Sequence, residues 1–343
     1  MPATIKDIAK KVGVNPSTVS RVINGTASIS EETRQKIKEA MKELDYHPNS
    51  LARSLVNGST FTIGLVIDAG NSDAFSNAFF IRSVSAIEAV TQQRGFNLLI
   101  ASDAGKENNS AVKNLVLEKK IDGIILPVSA ATDELLDLLI GNHFPFIVLG
   151  EPDHVKEGIH WIDMDNKQGA EDAVNYLRQV GYKRTILLVE NRITMFERKR
   201  IQGFQAATGT KGRESVESIV VECGTESRQI GEALQKVLNK YTDIDSIICT
   251  NNVVAYETLK FLKKKNRNIP GDIGIITFDN YPLAEYMDPP LTVVDIDTYK
   301  LGEEAANTLF SIIQNPGQDR KEVLLSTRII ERKSTMKGEK RKK

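Results

Sequence analysis

A run of hydroxyl and basic side chains near the amino terminus could contact nucleic acid. Four such residues fall within five positions of the chain: Ser17, Thr18, Ser20 and Arg21. Hydroxyl groups can reach base edges or phosphates, and an arginine can bond guanine through two nitrogens or hold the DNA backbone. The same residues could instead be the polar outer face that any small helical domain needs.

Three short helices, with no strand, are predicted around this run. The first extends from about residue 4 to residue 12, where Gly13 ends it. The second opens with Asn15 as its cap and Pro16 at the first helical position, and the third begins after Ser30. Two helices joined by a tight glycine turn are the geometry that places the second helix in the major groove of DNA.

A longer stretch of the sequence matches a known family pattern. Residues 4–25 read TIKDIAKKVGVNPSTVSRVING, which resembles the amino-terminal signature of the LacI/GalR family of bacterial repressors almost position for position. Residues 46–55 resemble that family's hinge helix, and residues 63–67 resemble the first strand of its core. Residues 288–292 and 330–335 resemble landmarks near the other end. The resemblance covers nearly the whole chain and implies a repressor that binds double-stranded operator DNA as a homodimer.

The resemblance also implies DNA contacts beyond the first four residues. Thr4, Pro16 and Asn24 belong to the signature and join the predicted DNA-contacting positions. In the hinge, the resemblance implies that Leu55 from two subunits wedges into the minor groove, with Ala52 close to the bases. The hinge is too short to be a stable helix alone, so we expect it to become ordered on DNA. The alternative for Leu55 is packing against the core.

From residue 61 onward, short apolar runs alternate with helical segments. Strands are predicted at residues 62–67, 97–101, 123–128, 146–150, 185–190, 218–221, 246–250, 274–278 and 292–296. This alternation predicts βαβ units and doubly wound parallel sheets, and nine strands are too many for one lobe. We therefore expect an α/β fold: a small all-α helix-turn-helix domain followed by a two-lobed core, which by resemblance is similar to periplasmic binding proteins.

The predicted domain boundaries follow from these patterns. They are a helix-turn-helix domain at 1–48, a hinge helix and linker at 49–60, a core for effector binding and dimerisation at 61–335, and a basic tail at 336–343. Within the core, one lobe is predicted to comprise 61–162 with 292–335, and the other 163–291.

Three polar residues of the core match effector-binding positions of the family. Arg200 matches an arginine whose fork can hold two vicinal hydroxyls or a carboxylate. Asp279 matches an acidic residue that accepts bonds from sugar hydroxyls or an amine, and Asn251 matches a polar pocket residue that can donate and accept. The alternatives are that Arg200 is a solvated charge and that Asp279 only caps a turn.

Four aromatic residues complete the predicted effector site. Phe79 and Phe80 match aromatic positions at the start of the first core helix, and Phe196 lies near another contacting position. Phe79 and Phe80 could instead belong to the core. Trp161 could be a stacking platform for a sugar ring or a structural anchor.

The chain departs from the family pattern at three places near this site. Asn252 stands where aspartate is usual, Gly150 stands where some sugar-responsive members carry a carboxylate, with Glu151 beside it, and Glu226 lies near a position that is often aromatic. The last of these changes, Glu226, makes the predicted pocket more polar. We expect a polyhydroxylated effector, such as maltose or a related disaccharide, rather than a purine.

Motifs of catalysis and of cofactor or metal binding are not found. There is no G-x-G-x-x-G after a strand, no Walker lysine and no Ser/His/Asp or metal-ligand spacing, so we expect neither an enzyme nor a cofactor nor a metal site. Cys223 and Cys249 lack a C-x-x-C spacing and lie in apolar runs, which indicates buried free thiols.

Charge and hydropathy set the expected location of the protein. The formal net charge is zero, although residues 1–60 and the tail are mildly basic, which suits phosphate contacts or a solvated surface equally. No stretch approaches the roughly 20 apolar residues that span a bilayer, and the start lacks an apolar signal region. We therefore expect a cytoplasmic protein with no membrane partner. The tail carries no apolar heptads, so a dimer rather than a tetramer is expected.

Two alternatives to a sugar-controlled repressor are a catabolite-control regulator and a sugar-binding transport protein. A catabolite-control regulator of the same family would respond to a phosphorylated carrier protein bound to its amino-terminal lobe, and the sequence leaves this alternative open. A sugar-binding transport protein would need a secretory signal and would have no use for residues 1–58.

Overall fold

The chain folds into two compact units. The computed structural model describes residues 3–24, 29–47, 58–68, 78–103, 110–154, 156–209, 218–317 and 319–337. One unit comprises Met1–Thr62 with Asn114–Asp122, and the other comprises Ile63–Lys113 with Gly123–Lys343. Segment 114–122, predicted to be part of the core, thus groups with the linker. One reason is that the Asp122 carboxylate accepts hydrogen bonds from the Ser59 hydroxyl at 2.6 Å and from the backbone N–H of Phe61 at 2.7 Å.

The first unit contains the three predicted helices, which are α1 (Ile5–Val12), α2 (Pro16–Asn24) and α3 (Glu31–Glu43). Gly13 ends α1 with a φ of 75°, a left-handed conformation that glycine adopts without steric cost. The Asn15 side chain accepts a hydrogen bond from the backbone N–H of Ser17 at the start of α2, at 3.0 Å. The three helices pack around one small apolar core formed by Ile8, Ala9, Val19, Ile37 and Ala40.

The second unit is built on two six-stranded sheets. In chain order the strands are β1 (Thr62–Asp68), β2 (Asn97–Asp103), β3 (Gly123–Pro127), β4 (Phe146–Leu149), β5 (Trp161–Met164), β6 (Thr185–Val189), β7 (Ile219–Glu222), β8 (Ser246–Cys249), β9 (Gly274–Phe278), β10 (Thr292–Asp295), β11 (Glu322–Leu325) and β12 (Arg328–Ile330). The first sheet has the order β11-β5-β4-β3-β1-β2, and the second has the order β12-β10-β9-β8-β6-β7. Parallel pairing predominates, with β12 antiparallel to β10. The predicted doubly wound, two-lobed α/β fold is confirmed.

Helices connect and cover the sheets. They are α4 (Ala78–Gln93), α5 (Ser110–Leu117), α6 (Asp133–Gly141), α7 (Asn166–Gln179), α8 (Met195–Thr208), α9 (Ser227–Lys240), α10 (Asn252–Lys264), α11 (Pro282–Tyr286) and α12 (Thr298–Gln314). A glycine allows one pair of helices to touch. A Cβ at Gly203 in α8 would lie 2.0 Å from the carbonyl oxygen of Lys167 in α7, so only glycine permits this approach. Within the described residues, no helix is both long and apolar enough to cross a membrane.

The chain passes between the two sheets three times, and this corrects the predicted lobes. It crosses from β5 into α7, from β10 into α12 and from β11 into β12. The predicted assignment of 292–335 to the first lobe is therefore wrong for β10 and β12, which pair within the second sheet. The reason is that strand partners are set by hydrogen bonding across the sheet, and β10 pairs in parallel with β9.

Both cysteines are buried and free, as predicted. Burial raises the pKa of the Cys223 thiol to about 12 and raises that of Cys249 as well, so both remain protonated at neutral pH.

Candidate DNA-contacting and effector-binding sites

The predicted DNA-contacting face of α2 points away from the small helical core. Pro16, Ser17 and Arg21 are exposed, and Thr18 and Ser20 are half-buried. Val19, between them, is fully buried against α1 and α3. The arrangement presents hydroxyl groups and a guanidinium to solvent along the first turns of a helix. This is the chemistry that a recognition helix needs.

Two of the predicted DNA-contacting hydroxyls also stabilise helix starts. The Thr4 hydroxyl donates to the Asp7 carboxylate at 2.7 Å in a capping box at α1. The Ser17 hydroxyl donates to the Asn15 side chain at 2.9 Å at the start of α2. Among the remaining predicted positions, Asn24 is the last residue of α2. Its side chain, together with Ala52 and Leu55, lies outside the described residues.

The predicted effector residue Arg200 is the centre of a buried polar cluster in the second unit. It lies on α8, and its side chain is almost fully buried. Its Nε donates to the Asn166 side chain at 2.9 Å, and its Nη1 donates to the Thr250 carbonyl at 2.6 Å. The guanidinium lies 3.9 Å from the centre of the Phe278 ring, a cation–π contact. Arg200 is therefore not a solvated surface charge, and its orientation is fixed by hydrogen bonds to the first residue of α7 and to the residue that follows β8.

Asp279 and Asn251 follow the carboxyl ends of two neighbouring strands, β9 and β8. In doubly wound sheets this edge is where ligands bind. Asp279 has a φ of 73° and its charge acts on Arg200. Asn251 caps α10 through a bond from the Val254 backbone N–H at 2.9 Å, and its amide nitrogen donates to Glu190 at 2.6 Å. The structure thus brings all three predicted polar effector residues to one place, and both ends of the Asn251 amide are bonded within the protein.

Three further carboxylates surround Arg200 and were not predicted. They are Asp163 on β5, Glu190 after β6 and Glu197 on α8, and with Asp279 and Arg200 they form what we call the Arg200 cluster. Glu197 is fully buried and accepts hydrogen bonds from the Thr250 hydroxyl at 2.6 Å and the Glu190 backbone at 3.1 Å. One signal could have indicated Glu197, because it lies one helical turn before Arg200 and thus on the same helix face.

The charges of the cluster are only partly balanced. Burial raises the pKa of Asp163, Glu197 and Asp279, while the positive charge of Arg200 acts in the opposite direction. Burial likewise lowers the pKa of Arg200, which its carboxylate neighbours oppose. Since an arginine keeps its proton in proteins, the cluster holds one permanent cation among four carboxyl groups.

The predicted aromatic residues occupy different environments. Phe196 is half-exposed on α8, and its ring centre lies 5.1 Å from the Arg200 guanidinium. It therefore lies beside the cluster with part of its ring accessible. Trp161 is buried at the start of β5, and this burial fits an anchor better than a stacking platform. Its Nε1–H has no hydrogen-bond partner among the described residues. Phe79 and Phe80 lie on α4, and their side chains are outside the description.

Two ion pairs connect the loop after β4 in the first lobe with α8 in the second. Lys199 Nζ lies 2.7 Å from the Glu151 carboxylate, and Arg198 pairs with Asp153. The two cations that directly precede Arg200 in the sequence are thus bound to carboxylates of the other lobe. In the described part of the chain, no group of His, Cys, Asp and Glu is arranged to hold a metal ion.

Comparison with known proteins identifies the family. Residues 4–49 match the model described as bacterial regulatory proteins, lacI family, and residues 174–335 match that of a periplasmic binding protein-like domain. The transcriptional regulator MalR of Streptococcus pneumoniae is 31% identical over 97% of this chain and 100% of its own length. The chain belongs to the LacI family. The transcriptional repressor PurR of Vibrio cholerae is 30% identical over 96% of this chain and 97% of its own.

A solved structure of this LacI family agrees with the fold. The complex of the transcriptional regulator CelR with cellobiose superposes with a TM-score of 0.72 at 26% identity, covering 97% of this chain and 99% of that chain. Its LacI-family relatives are transcription regulators and not enzymes, so the expectation that this chain is not an enzyme is confirmed.

The three positions at which this LacI-family chain departs from the family pattern have different surroundings in the structure. Gly150 has a φ of 103°, and a Cβ there would lie 2.9 Å from Val128, so a carboxylate side chain does not fit at this position. Asn252 donates to the Asp279 carbonyl at 2.9 Å, while its buried Oδ1 has no partner in the described structure. Glu226 is exposed and forms a capping box at the start of α9.

Proposed function

We propose that this LacI-family protein is a sequence-specific repressor of a carbohydrate-utilisation operon. In this proposal a homodimer binds a palindromic operator in the cytoplasm, and a small sugar such as maltose or a related disaccharide controls the binding. The Arg200 cluster is the observation that carries the proposal, because it combines buried polar groups from both lobes at the carboxyl ends of the strands. Family membership supports the DNA-binding half.

For DNA, the proposal assigns the reading of bases to the exposed face of α2. Ser17, Thr18, Ser20 and Arg21 would reach base edges and phosphates, and Thr4, Pro16 and Asn24 would fix the helix on the backbone. In the hinge, Ala52 would lie near the bases, and Leu55 from each subunit would wedge into the minor groove. A paired wedge requires two subunits, which is why the operator should be close to palindromic.

For the effector, the proposal assigns hydroxyl recognition to the polar groups of the cluster. The Asp279 carboxylate can accept hydrogen bonds from sugar hydroxyls, and Arg200 and Asn251 are the polar residues next to it. The half-exposed ring of Phe196 offers an apolar face for a sugar ring. Phe79 and Phe80 would add aromatic contacts from α4, and Trp161 would support the site from within β5. The CelR structure, which contains cellobiose, supports a disaccharide as the class of ligand.

Control would arise from the way both lobes hold the cluster. The cluster joins Asp163 on β5 of the first sheet to Arg200 and Thr250 of the second lobe, so a ligand that binds there favours one angle between the lobes. In a dimer, that angle sets the separation of the two hinges and hence the cost of ordering them on DNA. A coupling free energy of about 1–3 kcal/mol would change operator affinity about 5–150-fold.

The test combines ligand screening with operator binding. Thermal unfolding of the full chain would be followed against panels of sugars and nucleobases, since a ligand at 100 times its Kd adds about 2.7 kcal/mol of stability. The expected result is stabilisation by a sugar, together with at least a fivefold change in affinity for DNA selected by the protein. If only nucleobases stabilise the protein, the assignment of a sugar effector is wrong. If the protein selects no DNA, the assignment as a repressor is wrong.

A further inference from the structure

The Asp122 carboxylate binds the three residues that come just before β1. We call these residues, 59–61, the linker end, because they join the predicted hinge and linker to the first core strand. The carboxylate accepts hydrogen bonds from the Ser59 hydroxyl at 2.6 Å and from the backbone N–H groups of Thr60 at 2.8 Å and Phe61 at 2.7 Å. Hydrogen bonds to an ionised carboxylate are stronger than those between neutral groups. One half-buried side chain thus fixes the whole linker end.

The backbone of the linker end is strained at Phe61. Its φ is 52°, in the left-handed region that a bulky residue rarely adopts. Such a conformation persists only where the surroundings determine it, and it is frequent in segments with a functional role. The Phe61 N–H is bonded to the Asp122 carboxylate and also donates to the Ser59 hydroxyl oxygen at 3.3 Å. These bonds therefore act on the residue whose backbone is strained.

A comparable motif in the second lobe shows which part of this arrangement is general. Asp245 directly precedes β8, and its carboxylate accepts hydrogen bonds from the backbone N–H groups of Lys183 and Arg184, each at 2.9 Å. These two residues directly precede β6, which pairs in parallel with β8 as β1 does with β3. An aspartate that binds the backbone ahead of a neighbouring strand is therefore a structural feature of both lobes.

Two features distinguish the linker end from its counterpart in the second lobe. The first is the side-chain bond from Ser59, since the hydroxyl that reaches Asp245 belongs to the adjacent Ser246 and not to the bound segment. The second is the positive φ of Phe61, because neither residue of the bound segment 183–184, which the structure describes, has one. Both additions lie on the segment that leads to the DNA-binding helices in the sequence.

We propose that Asp122 and Ser59 are positioning residues for DNA binding. They hold the linker end in one conformation in the free protein, and this reduces the conformational entropy that the chain loses when it binds its operator. Neither residue needs to touch DNA for this role. The inference rests on the proposed function, because it requires a protein that selects an operator.

The first experiment compares two matched substitutions in the full-length protein. Asp122→Ala and Asp245→Ala each remove a half-buried carboxylate that binds the backbone ahead of a strand, so both should lower the melting temperature by a similar amount. Only Asp122→Ala should weaken binding to the duplex that the parent protein selects from a random pool. We expect a loss of at least about tenfold in fluorescence anisotropy, since fixing one freed residue costs about a factor of ten in a binding constant.

Two results of this comparison would overturn the inference. If both variants bind the duplex as the parent does, Asp122 stabilises the fold and has no role in DNA binding. If both variants lose affinity equally, the loss follows from general destabilisation and not from the linker end.

A milder substitution keeps the test decisive if Asp122→Ala does not fold. Ser59→Ala removes the side-chain bond and leaves the backbone bonds to Asp122 in place. Operator affinity should fall by about threefold, as expected for the loss of one hydrogen bond. The control is Ser227→Ala, which removes a hydroxyl that donates to the Glu257 carboxylate at 2.5 Å in the second lobe. Equal operator affinity of these two variants would contradict the role of Ser59.

Amide hydrogen exchange examines the linker end in the absence of DNA. In peptides that cover Thr60 and Phe61, mass spectrometry should show exchange at least about tenfold faster in Asp122→Ala than in the parent, because both amides lose their acceptor. Asp245→Ala should exchange there at the parent's rate. Unchanged exchange in Asp122→Ala would mean that this carboxylate does not hold the linker end.

The outcomes separate this inference from the proposed function. If the parent protein binds a selected duplex and responds to a sugar, while Asp122→Ala binds that duplex equally well, the repressor stands and only the inference is wrong. If the parent protein selects no duplex, the assignment as a repressor fails and this inference fails with it.

Discussion

Replacing Arg200 by methionine should destabilise the core strongly, because it leaves four carboxyl groups around a site that has lost its cation. Methionine keeps an unbranched apolar stem beside Phe278 but removes the bonds to Asn166 and Thr250. Removing one partner of a buried ionic network costs about 3–5 kcal/mol, since the remaining charges stay desolvated without compensation. We therefore expect the free energy of unfolding of the core to fall by about 3–5 kcal/mol at neutral pH.

Urea unfolding followed by the fluorescence of Trp161 measures this effect. Trp161 is the only tryptophan of the chain and lies in β5, so its signal reports on the first sheet of the core. The control is Arg228→Met, in which an exposed arginine at 3.4 Å from Glu232 is lost. That change should cost at most about 0.5 kcal/mol. If both variants lose the same small amount, the Arg200 cluster does not hold the core together as described.

Four further predictions concern DNA, packing and pH. Arg21→Ala should weaken operator binding by about 1–3 kcal/mol, measured by fluorescence anisotropy, and unchanged affinity would remove Arg21 from the interface. Leu55→Ala should weaken operator binding by about 2 kcal/mol with effector affinity retained in calorimetry, and unchanged operator affinity would reject the wedge. Gly203→Ala should lower the free energy of unfolding by about 3 kcal/mol. The control Gly141→Ala should be close to neutral, because a Cβ there meets nothing within 4 Å. Equal effects of the two changes on stability would contradict the close contact between α7 and α8. Burial raises the pKa of Asp163, Glu197 and Asp279, so the folded core binds their protons more tightly than the unfolded chain does. The stability that these protons contribute is therefore complete below the ordinary pKa of about 4 and is lost as pH rises through the raised pKa. Asp279→Asn should therefore gain stability relative to the parent protein as pH rises in urea titrations, and a difference independent of pH would contradict the raised pKa.

The strands predicted from the sequence are the apolar runs. All nine predicted strands are present, because each is an apolar run bounded by turn or helix signals. Three strands were missed: β5 contains the polar Asp163, and β11 and β12 have exposed positions and no fully buried one. They are also the elements at the crossovers between the sheets. The lobe boundaries were misplaced because the local sequence pattern does not determine which strands pair with each other.

The candidate site was predicted only as far as the family resemblance reached. It named Arg200, Asn251 and Asp279, which the structure places together after the strands of the second sheet. It did not indicate Glu197, because a glutamate in a helix ordinarily faces solvent. The partner that buries Glu197 is Thr250, 53 positions away in the chain, and only the fold brings the two side chains to 2.6 Å.

Selection of DNA from a random pool, with and without sugars, measures operator recognition and its control by sugar in one experiment. The purified full-length protein should enrich duplexes that contain an inverted repeat, and one uncharged sugar should change its affinity for the enriched duplex at least fivefold. An Arg200→Met protein that remains folded should select the same repeat but lose the response to sugar. If the parent protein enriches no inverted repeat, in the presence or absence of sugars, it is not a repressor that binds a palindromic operator.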